Sequence, residues 1–375
     1  MLCGVEMFHL IRLTFYKCIS LCIYKLSICK LTSLCKPNII VGMIKFADII
    51  VDLQAGDTGK GKVAHHLANS GEYTHIIRYN GGGNAGHTVY HKGNKIVTHF
   101  IPVGVLYGIT SIIGPGCVVN IEKLNAEISE LENHGINVGD NLKIDFRTHV
   151  ITKEHQLEDS TDTKIGTTKT GNGPCYRDKY SRTGIRAESF PELSTMLIDT
   201  YEELYNKNPN CLLFEGAQGF ELDIDWGDYP YVTSSHCTLG GALLNGVAAQ
   251  KVRKVYGVAK AYRTYVGNKQ FEREDPVFDR IRELGQEYGA TTGRKRQIDW
   301  LNLDDIIKAA RINGVNHLVI NKLDILTQVE MKLYHNNKLH EFTLEEQFTS
   351  YIKDIIVQEC EEIKEVVFSI TPLGI

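Results

Sequence analysis

The stretch "GDTGKGKV", Gly56 to Val63, has the G-x-x-x-x-G-K spacing of a phosphate-binding P-loop. An apolar run, "FADIIVDLQ" at 46–54, precedes it, and a segment of helical character, "GKVAHHLAN" at 61–69, follows it. This is the strand–loop–helix context that a P-loop requires. Two features are unusual: Val63 stands where most P-loops carry a hydroxyl that holds Mg²⁺, and the loop contains an acid, Asp57. The stretch therefore predicts a nucleotide-binding α/β fold and leaves open which residue handles the metal.

The rest of the chain alternates apolar strands with helices. Helical periodicity covers Ile121 to His134 and Leu303 to Asn313. The alternation predicts an α/β, P-loop-like fold with a mostly parallel central sheet and helices on both faces. Two Gly-rich connections, 79–88 and 164–184, exceed the length of ordinary α/β turns, which predicts long active-site loops. The other strand candidates are "THIIRYN", "SIIGPGCVV", "NLKIDF", "CLLFEGAQG", "KVYGVAKAY" and "NHLVINKLD".

Composition and charge restrict the possible partners. The chain has 375 residues, of which 43% are hydrophobic and 23% charged, as in ordinary globular proteins. Its formal net charge of −4 lacks the basic field that non-specific nucleic-acid binding requires. We therefore expect small-molecule substrates, with neither nucleic acid nor membrane as a partner.

Residues 1–42 differ from the rest, because they hold half of the 10 cysteines and several scattered lysines. A signal peptide, a membrane anchor, an organelle transit peptide and translated sequence upstream of the true start are four interpretations. The lysines interrupt any apolar run long enough to span a bilayer, and Met43 is favoured as the functional start. We expect an N-terminal extension at 1–42 and a catalytic domain at 43–375. The dispersed cysteines of that domain fit reduced thiols in a cytoplasmic protein.

The segment "INKLD", at 320–324, predicts a guanine site at the end of a buried strand. The carboxylate of Asp324 can accept hydrogen bonds from the ring N–H and the 2-amino group of guanine, which adenine does not offer. The stem of Lys322 can cover the ring. A surface turn explains the same residues without a ligand, but in combination with the P-loop the segment favours GTP over ATP.

Two other segments carry side chains suited to anions. "GATTGRKR", at 289–296, places Arg294 and Arg296 beside two threonines, which is either a cradle for a carboxylate or phosphate or a solvated charge run. His87, in "NAGHT", is either a general acid, a hydrogen-bond donor to a charged oxygen or a structural histidine. Because ligands bind at the carboxyl edge of parallel sheets, these segments together favour a binding site there.

From Met43 onward the chain resembles the adenylosuccinate synthetases, enzymes that join IMP and L-aspartate with GTP. The family's loop reads Gly-Asp-Glu-Gly-Lys-Gly-Lys, and this chain has Thr58 in place of the Glu. The order and spacing of the motifs make the resemblance specific. The matching segments are Gly56 to Lys62, Asn84 to Thr88, Ile165 to Thr168, Gly216 to Gly219, Tyr229 to Ser235 and Thr291 to Arg296.

The resemblance implies how the loop works without a hydroxyl at Val63. Asp57 is implied to coordinate Mg²⁺ and, as general base, to remove the N1 proton of the purine. The O6 atom then attacks the γ-phosphoryl group of GTP, while Lys60, His87 and the metal neutralise the developing charge. The amino group of aspartate displaces the phosphate from C6, which gives adenylosuccinate, GDP and phosphate. GTP is thus the implied co-substrate and Mg²⁺ the implied cofactor.

The resemblance also implies a set of binding residues and a homodimer, in which Arg182 reaches the 5′-phosphate of the partner subunit's nucleotide. The residues implied for the substrate nucleotide are Asn84, Thr168, Arg182, Gln218, Thr233 and Arg294; those for aspartate are Thr291, Thr292 and Arg294; those for GTP are Gly56, Thr58, Gly59, Lys60, Gly61, Lys62, Thr88, Arg296, Lys322, Asp324 and Ser369; and those for the metal are Asp57 and Gly86.

Three departures from the family pattern leave the purine substrate open: Thr58, Tyr265 in place of an arginine, and His236 with Cys237 in place of Asn-Thr. A phage branch that acts on dGMP is one alternative, because the "DLQ" lead-in and Thr58 resemble it. Asp57 and the K-x-D segment favour IMP. A regulatory P-loop GTPase is an alternative of another class, but Val63 and the roughly 260 residues between the two nucleotide signatures argue against it.

Overall fold

The computed structural model describes residues 44–206, 209–289 and 293–370. The expected extension at 1–42, the expected start at Met43, and Thr291 and Thr292 lie outside the described residues. The strands are β1 Ile44–Asp52, β2 His75–Arg78, β3 His87–His91, β4 Asn94–Thr98, β5 Thr110–Ile113, β6 Val118–Val119, β7 Leu142–Asp145, β8 His149–Val150, β9 Leu197–Ile198, β10 Asn210–Glu215, β11 Val252–Lys260, β12 Tyr262–Tyr265, β13 Gln297–Asn302, β14 His317–Asn321, β15 Met331–His335, β16 Lys338–Phe342 and β17 Glu365–Phe368. The α-helices are α1 Lys60–Ala68, α2 Ile121–Asn133, α3 Lys153–Ser160, α4 Asn172–Ser181, α5 Thr200–Tyr205, α6 Leu239–Leu243, α7 Val277–Gly285, α8 Leu303–Asn313, α9 Leu323–Leu326 and α10 Glu345–Glu359.

The central sheet of the described residues has nine strands in the order β17-β14-β11-β1-β10-β2-β5-β7-β9. Every neighbouring pair in it is parallel, which confirms the predicted sheet. Strand β1 lies between β10 and β11, with Ile50 opposite Glu215 and Val51 opposite Gly257. The carboxyl ends of these strands therefore meet at one edge, to which the P-loop is attached. A smaller sheet has the order β12-β13-β15-β16.

Side chains of β1 alternate between the two faces of the sheet, as a strand requires. Both faces are covered by helices, which confirms the predicted layers. On one face, Ile49 and Val51 belong to a buried cluster with Ile306 of α8 and Phe348 of α10. On the other face, Ile50 belongs to a cluster with Val63 of α1 and Leu124 of α2.

The predicted loop at 164–184 was wrong in its second half, because helix α4 begins at Asn172. Gly171, with φ of 83°, precedes the helix as its N-cap, and Arg182 ends it in the left-handed conformation with φ of 67°. Helix α4 buries little apolar surface apart from Cys175 and Tyr176, so no hydrophobic stripe marks it in the sequence. Within the described ranges, no helix is long and apolar enough to span a lipid bilayer.

Helix α10 provides a test of the packing on the sheet. Phe348 is fully buried in the cluster that contains Ile49 and Val51. We expect Phe348→Ala to lower the free energy of unfolding by about 3–5 kcal/mol, because it removes an aromatic ring from a close-packed core. Val357→Ala, on the exposed side of the same helix, should change it by less than about 0.5 kcal/mol. Urea denaturation measures both, and equal effects would contradict the packing described here.

Candidate active site

The P-loop connects the end of β1 to the start of α1 through a backbone with several positive φ angles. Gly56, Asp57 and Gly59 all have positive φ, at 86°, 57° and 100°. Glycine adopts such angles readily, whereas Asp57 is held there by its surroundings. Gly61 is close to His87, since a Cβ added at Gly61 would lie 2.7 Å from the Cβ of His87. The loop therefore brings Asp57 and His87, two predicted catalytic residues, to the same end of α1.

The guanine segment predicted at 320–324 contacts the P-loop directly. Asn321 donates a hydrogen bond from Nδ2 to the carbonyl oxygen of Thr58, over 2.8 Å. A Cβ on Gly59 would lie 2.8 Å from the same Asn321 nitrogen, so this position needs glycine for space as well as for its φ. The two nucleotide signatures, far apart in sequence, thus form one structural unit.

Four residues that were predicted to bind GTP belong to this unit or contact it: Lys62, Lys322, Asp324 and Ser369. The Nζ atom of Lys62 lies 2.5 Å from Ser369 Oγ, and that of Lys322 donates to the carbonyl oxygen of Gly285 over 2.9 Å. Burial lowers the pKa of Lys62 to about 8, with Asp324 opposing the shift and Lys322 adding to it. These charge interactions indicate that the two lysines and Asp324 are neighbours, so the structure brings most of the predicted guanine site together.

Lys60 is almost fully buried and makes two contacts. Its Nζ atom lies 2.8 Å from Asp52 Oδ2 and 2.5 Å from the carbonyl oxygen of Gln218. Gln218 itself has a positive φ of 54°, and its Oε1 atom is buried without a hydrogen-bond partner among the described residues. A buried, unpaired acceptor of this kind calls for a partner, which a bound nucleotide can supply.

Asp57 belongs to a chain of alternating charges. Its Oδ2 atom lies 2.9 Å from a guanidinium nitrogen of Arg296, and Arg296 also contacts Glu287. The Nζ atom of Lys260 lies 3.1 Å from both carboxylate oxygens of Glu287. Burial opposes ionisation of Glu287, but the charges of Lys260 and Arg296 lower its pKa to about 2. Glu287 is therefore ionised and holds Arg296 against Asp57.

His87 is buried between the carboxylate of Glu215 and the guanidinium of Arg78. Its Nδ1 atom contacts the carboxylate of Glu215, and an Arg78 nitrogen lies 2.9 Å from the same Nδ1 atom. Arg78 also lies 3.1 Å from Glu215, which accepts a further hydrogen bond from the backbone of Val103. Burial and the Arg78 charge lower the pKa of His87 to about 4, although Glu215 opposes this shift. The imidazole is therefore neutral at pH 7 in the structure as it stands.

Arg294, implied to bind aspartate and nucleotide, holds the Gly-rich loop in place. It donates hydrogen bonds to the carbonyl oxygens of Gly166 and Thr167, each over 3.0 Å. Asn268 supports the same loop by donating to the carbonyl oxygen of Lys164 over 3.3 Å. The segments at 164–168 and 293–296 therefore face each other, as a shared ligand requires.

Asn84 and Thr168, both implied for the substrate nucleotide, meet through Asn172. Asn84 Oδ1 accepts a hydrogen bond from Asn172 Nδ2 over 2.6 Å. Thr170 Oγ1 lies 3.0 Å from Thr168 Oγ1 and 3.3 Å from Asn172 Oδ1. These polar side chains form one cluster at the start of α4.

The remaining implied residues have separate positions. Thr233 is half-buried, and its backbone donates to the carbonyl oxygen of Leu222 over 2.8 Å. Gly86 and Thr88 flank His87 at the start of β3. Arg182 is exposed at the end of α4.

Three buried acids were missed by the sequence-based prediction of the site: Asp52, Glu215 and Glu287. Asp52 and Glu215 end apolar strands, and Glu287 follows helix α7. A charged residue that closes an apolar run is a usable signal, because it will be buried and must be paired. Each of the three does contact a cation that belongs to the site or supports it.

Comparison with known proteins shows the family to which the chain belongs. A family model described as adenylosuccinate synthetase matches residues 49–209 and 187–367. Relatives of that name include the protein of Geobacillus kaustophilus, 39% identical over 373 residues, with 84% of this chain and 86% of the relative covered. The protein of Caldanaerobacter subterraneus is 38% identical over 374 residues, with the same shares covered.

Two solved structures have a similar fold. Fully ligated adenylosuccinate synthetase from Plasmodium falciparum has a TM-score of 0.72 at 28% identity, with 88% of this chain and 98% of that chain covered. Succinoaminodeoxyadenylate synthetase of cyanophage S-2L, bound to dGMP and dATP, has a TM-score of 0.66 at 23% identity, with 88% and 94% covered. At that identity the second likeness concerns the fold alone.

A parallel α/β sheet with a P-loop at its carboxyl edge defines a nucleotide-binding protein. The chain belongs to the adenylosuccinate synthetase family, because the family model and the relatives cover most of its length. It is thus a ligase that forms a C–N bond. The family therefore confirms the predicted function, GTP-dependent ligation of L-aspartate to IMP, and not the alternative of a regulatory GTPase.

The contact between Glu215 and His87 is testable. We expect Glu215→Gln to lower kcat by roughly 100-fold, the lower end of what a positioned acid or base contributes, because the imidazole loses its charged partner. The change should have no further effect in a His87→Asn background if Glu215 acts through His87. Glu127→Gln is the matched control, because Glu127 is also buried but accepts backbone hydrogen bonds from residues 99–101 and, among the described residues, contacts no predicted catalytic group. Steady-state kinetics on all four variants decide, and an unchanged kcat for Glu215→Gln would refute the role.

Proposed function

We propose that Asp57, Lys60 and His87 carry out the phosphoryl-transfer step of the ligation. The observation that supports this most directly is their convergence: Asp57 and Lys60 lie in one loop, and His87 packs against Gly61 of the same loop. One purine bound at this loop would meet a base, a fixed cation and an imidazole. The proposed site occupies a catalytic domain at 43–375, with 1–42 as an extension.

Asp57 is the proposed general base. Its carboxylate stands in the loop at a positive φ, and Arg296 fixes its position through a 2.9 Å contact. It removes the N1 proton of IMP, which makes O6 a nucleophile toward the γ-phosphoryl group of GTP. The 6-phosphoryl group then leaves as phosphate when the amino group of aspartate attacks C6.

Lys60 and His87 are the proposed stabilisers of charge on the transferred group. Lys60 is a fixed ammonium in a dry site, where its electrostatic effect is larger than in water. His87 is neutral in this structure, with its Nδ1 atom against Glu215 and its Nε2 atom 3.1 Å from a guanidinium nitrogen of Arg78. A phosphate oxygen near Nε2 would favour its protonation, so that His87 donates a hydrogen bond during transfer.

Mg²⁺ is the proposed cofactor, and its donors are the Asp57 carboxylate and the Gly86 carbonyl oxygen. Both are oxygen ligands, which suit Mg²⁺. Asp57 lies in the P-loop, and Gly86 precedes His87, which packs against Gly61 of that loop. When bound, the ion neutralises phosphate charge. Asp57 then takes the place of the hydroxyl that Val63 lacks.

The proposed nucleotide and aspartate contacts are those that the family resemblance implies. Asn84, Thr168, Gln218, Thr233 and Arg294 hold the IMP, and Arg294 with Thr291 and Thr292 holds aspartate. Lys322 and Asp324 select guanine, because the Asp324 carboxylate accepts hydrogen bonds from the ring N–H and the 2-amino group. They follow Asn321, which donates a hydrogen bond to Thr58 of the P-loop. The exposed position of Arg182 fits a role in the partner subunit's site in a homodimer. The proposed location of the enzyme is the cytoplasm.

The assay for this function follows succinylated product by mass after incubation of the purified chain with Mg²⁺, GTP, L-aspartate and IMP. We expect adenylosuccinate with IMP and no product when IMP is omitted. Asp57→Asn should abolish turnover while leaving the thermal midpoint nearly unchanged, because it keeps the shape and removes the base. Substantial activity of that variant would refute the proposed mechanism, and product mainly from dGMP in place of IMP would refute the substrate.

Mixing two inactive variants tests the role of Arg182. Asp57→Asn and Arg182→Ala should each be inactive alone. If Arg182 acts in the partner's site, a mixture of equal amounts regains about a quarter of the unmodified activity, because half of the dimers are mixed and each mixed dimer has one intact site. Activity is measured after subunit exchange. No recovery, with dimers confirmed by light scattering, would place Arg182 in its own subunit's site.

A further inference from the structure

Asp52 holds the P-loop in place through several hydrogen bonds. The side chain ends β1 and is 1% exposed. Its Oδ1 atom accepts a hydrogen bond from the backbone of Gln54 over 2.9 Å, and its Oδ2 atom accepts one from the Thr58 hydroxyl over 2.5 Å and one from Lys60 over 2.8 Å. One carboxylate therefore connects three residues of the strand end, the loop and the first turn of α1.

The contact with Asp52 restricts the direction of the Lys60 side chain. A lysine ammonium has three N–H donors. In the described residues, Asp52 and the carbonyl oxygen of Gln218 engage Lys60 from two directions. The third donor is left for one further acceptor, and its direction is set by the other two contacts.

The enclosure of Asp52 strengthens this effect. A Cβ added at Gly219 would lie 2.6 Å from Asp52 Oδ1, so the segment that contains Gln218 closes directly over the carboxylate. The direct attraction between the two charges of an ion pair is less screened when water is excluded. The neutral hydroxyl of Thr58 suits this enclosure, because an acid at position 58 would place a second negative charge against Asp52.

We propose that Asp52 is a positioning residue that orients Lys60 for phosphoryl transfer, with Thr58 as its support. This inference rests on the proposed function of Lys60. Asp52 touches no substrate and acts only through the lysine. The carboxylate that organises this P-loop thus comes from the preceding strand, and position 58, where the family has Glu, supplies a hydrogen-bond donor instead.

The test compares Asp52→Asn with Asp48→Asn in steady-state kinetics. Asp48 is a buried carboxylate of the same strand that pairs with Arg253 at the opposite end of the sheet. We expect Asp52→Asn to lower kcat about 100-fold, as small displacements of catalytic groups do, with the KM for aspartate unchanged. Asp48→Asn should leave kcat unchanged and lower only the thermal midpoint. An unchanged kcat for Asp52→Asn would overturn the inference.

A double-mutant cycle with Lys60→Gln separates this inference from the proposed function. If Asp52 acts through Lys60, adding Asp52→Asn to Lys60→Gln causes no further loss of the residual kcat, measured with excess enzyme. A further loss would overturn the inference while the role of Lys60 stands. Full activity of Lys60→Gln alone would overturn both.

A second variant covers the case in which Asp52→Asn fails to fold. Thr58→Val keeps the volume and removes only the hydroxyl that supports Asp52. We expect a smaller fall in kcat than for Asp52→Asn, with the KM for aspartate again unchanged. No fall in kcat would overturn the role of Thr58 and, if Asp52→Asn does not fold, the inference as a whole.

Discussion

The burial of negative charge at the carboxyl ends of two adjacent strands determines how this site is built. Strands β1 and β10 are parallel neighbours, and they end in Asp52 and Glu215, both almost inaccessible to solvent. A buried carboxylate is stable only when cations and hydrogen-bond donors surround it. Lys60 pairs with Asp52, and Arg78 and His87 contact Glu215. The groups proposed for catalysis are therefore also the groups that make these strand ends stable.

The charge network extends this principle across the site. Lys260 at the end of β11 pairs with Glu287, and Glu287 pairs with Arg296, which reaches Asp57 in the P-loop. Positive and negative groups alternate along this path. Each charge holds the next in place, so the position of Asp57, the proposed base, depends on β11, the neighbour of β1 on the side away from β10. Such alternation keeps many ionised groups in a small volume without large net repulsion.

Local sequence patterns were sufficient for the sheet and for α8, whose predicted bounds are correct. Asn302 caps the start of that helix and Gly314 ends it, and both signals lie within the helix's own neighbourhood. Helix α4 was missed because it lacks an apolar stripe. The pairing of Glu215 with His87 was missed for a different reason. It joins residues 128 apart through the strand order of the sheet, which no local pattern encodes.

The order of the strands also has a consequence for how the chain folds during synthesis. β1 is the first strand of the described chain, but its neighbours β10 and β11 are made more than 150 residues later, and the Asn321 that supports Thr58 later still. Loop closure over such distances is slow, and proteins rich in non-local pairings fold slowly. The nascent P-loop segment therefore leaves the ribosome long before its partners exist. The complete nucleotide site therefore requires Asn321 to have been synthesised, 263 residues after Thr58 of the P-loop.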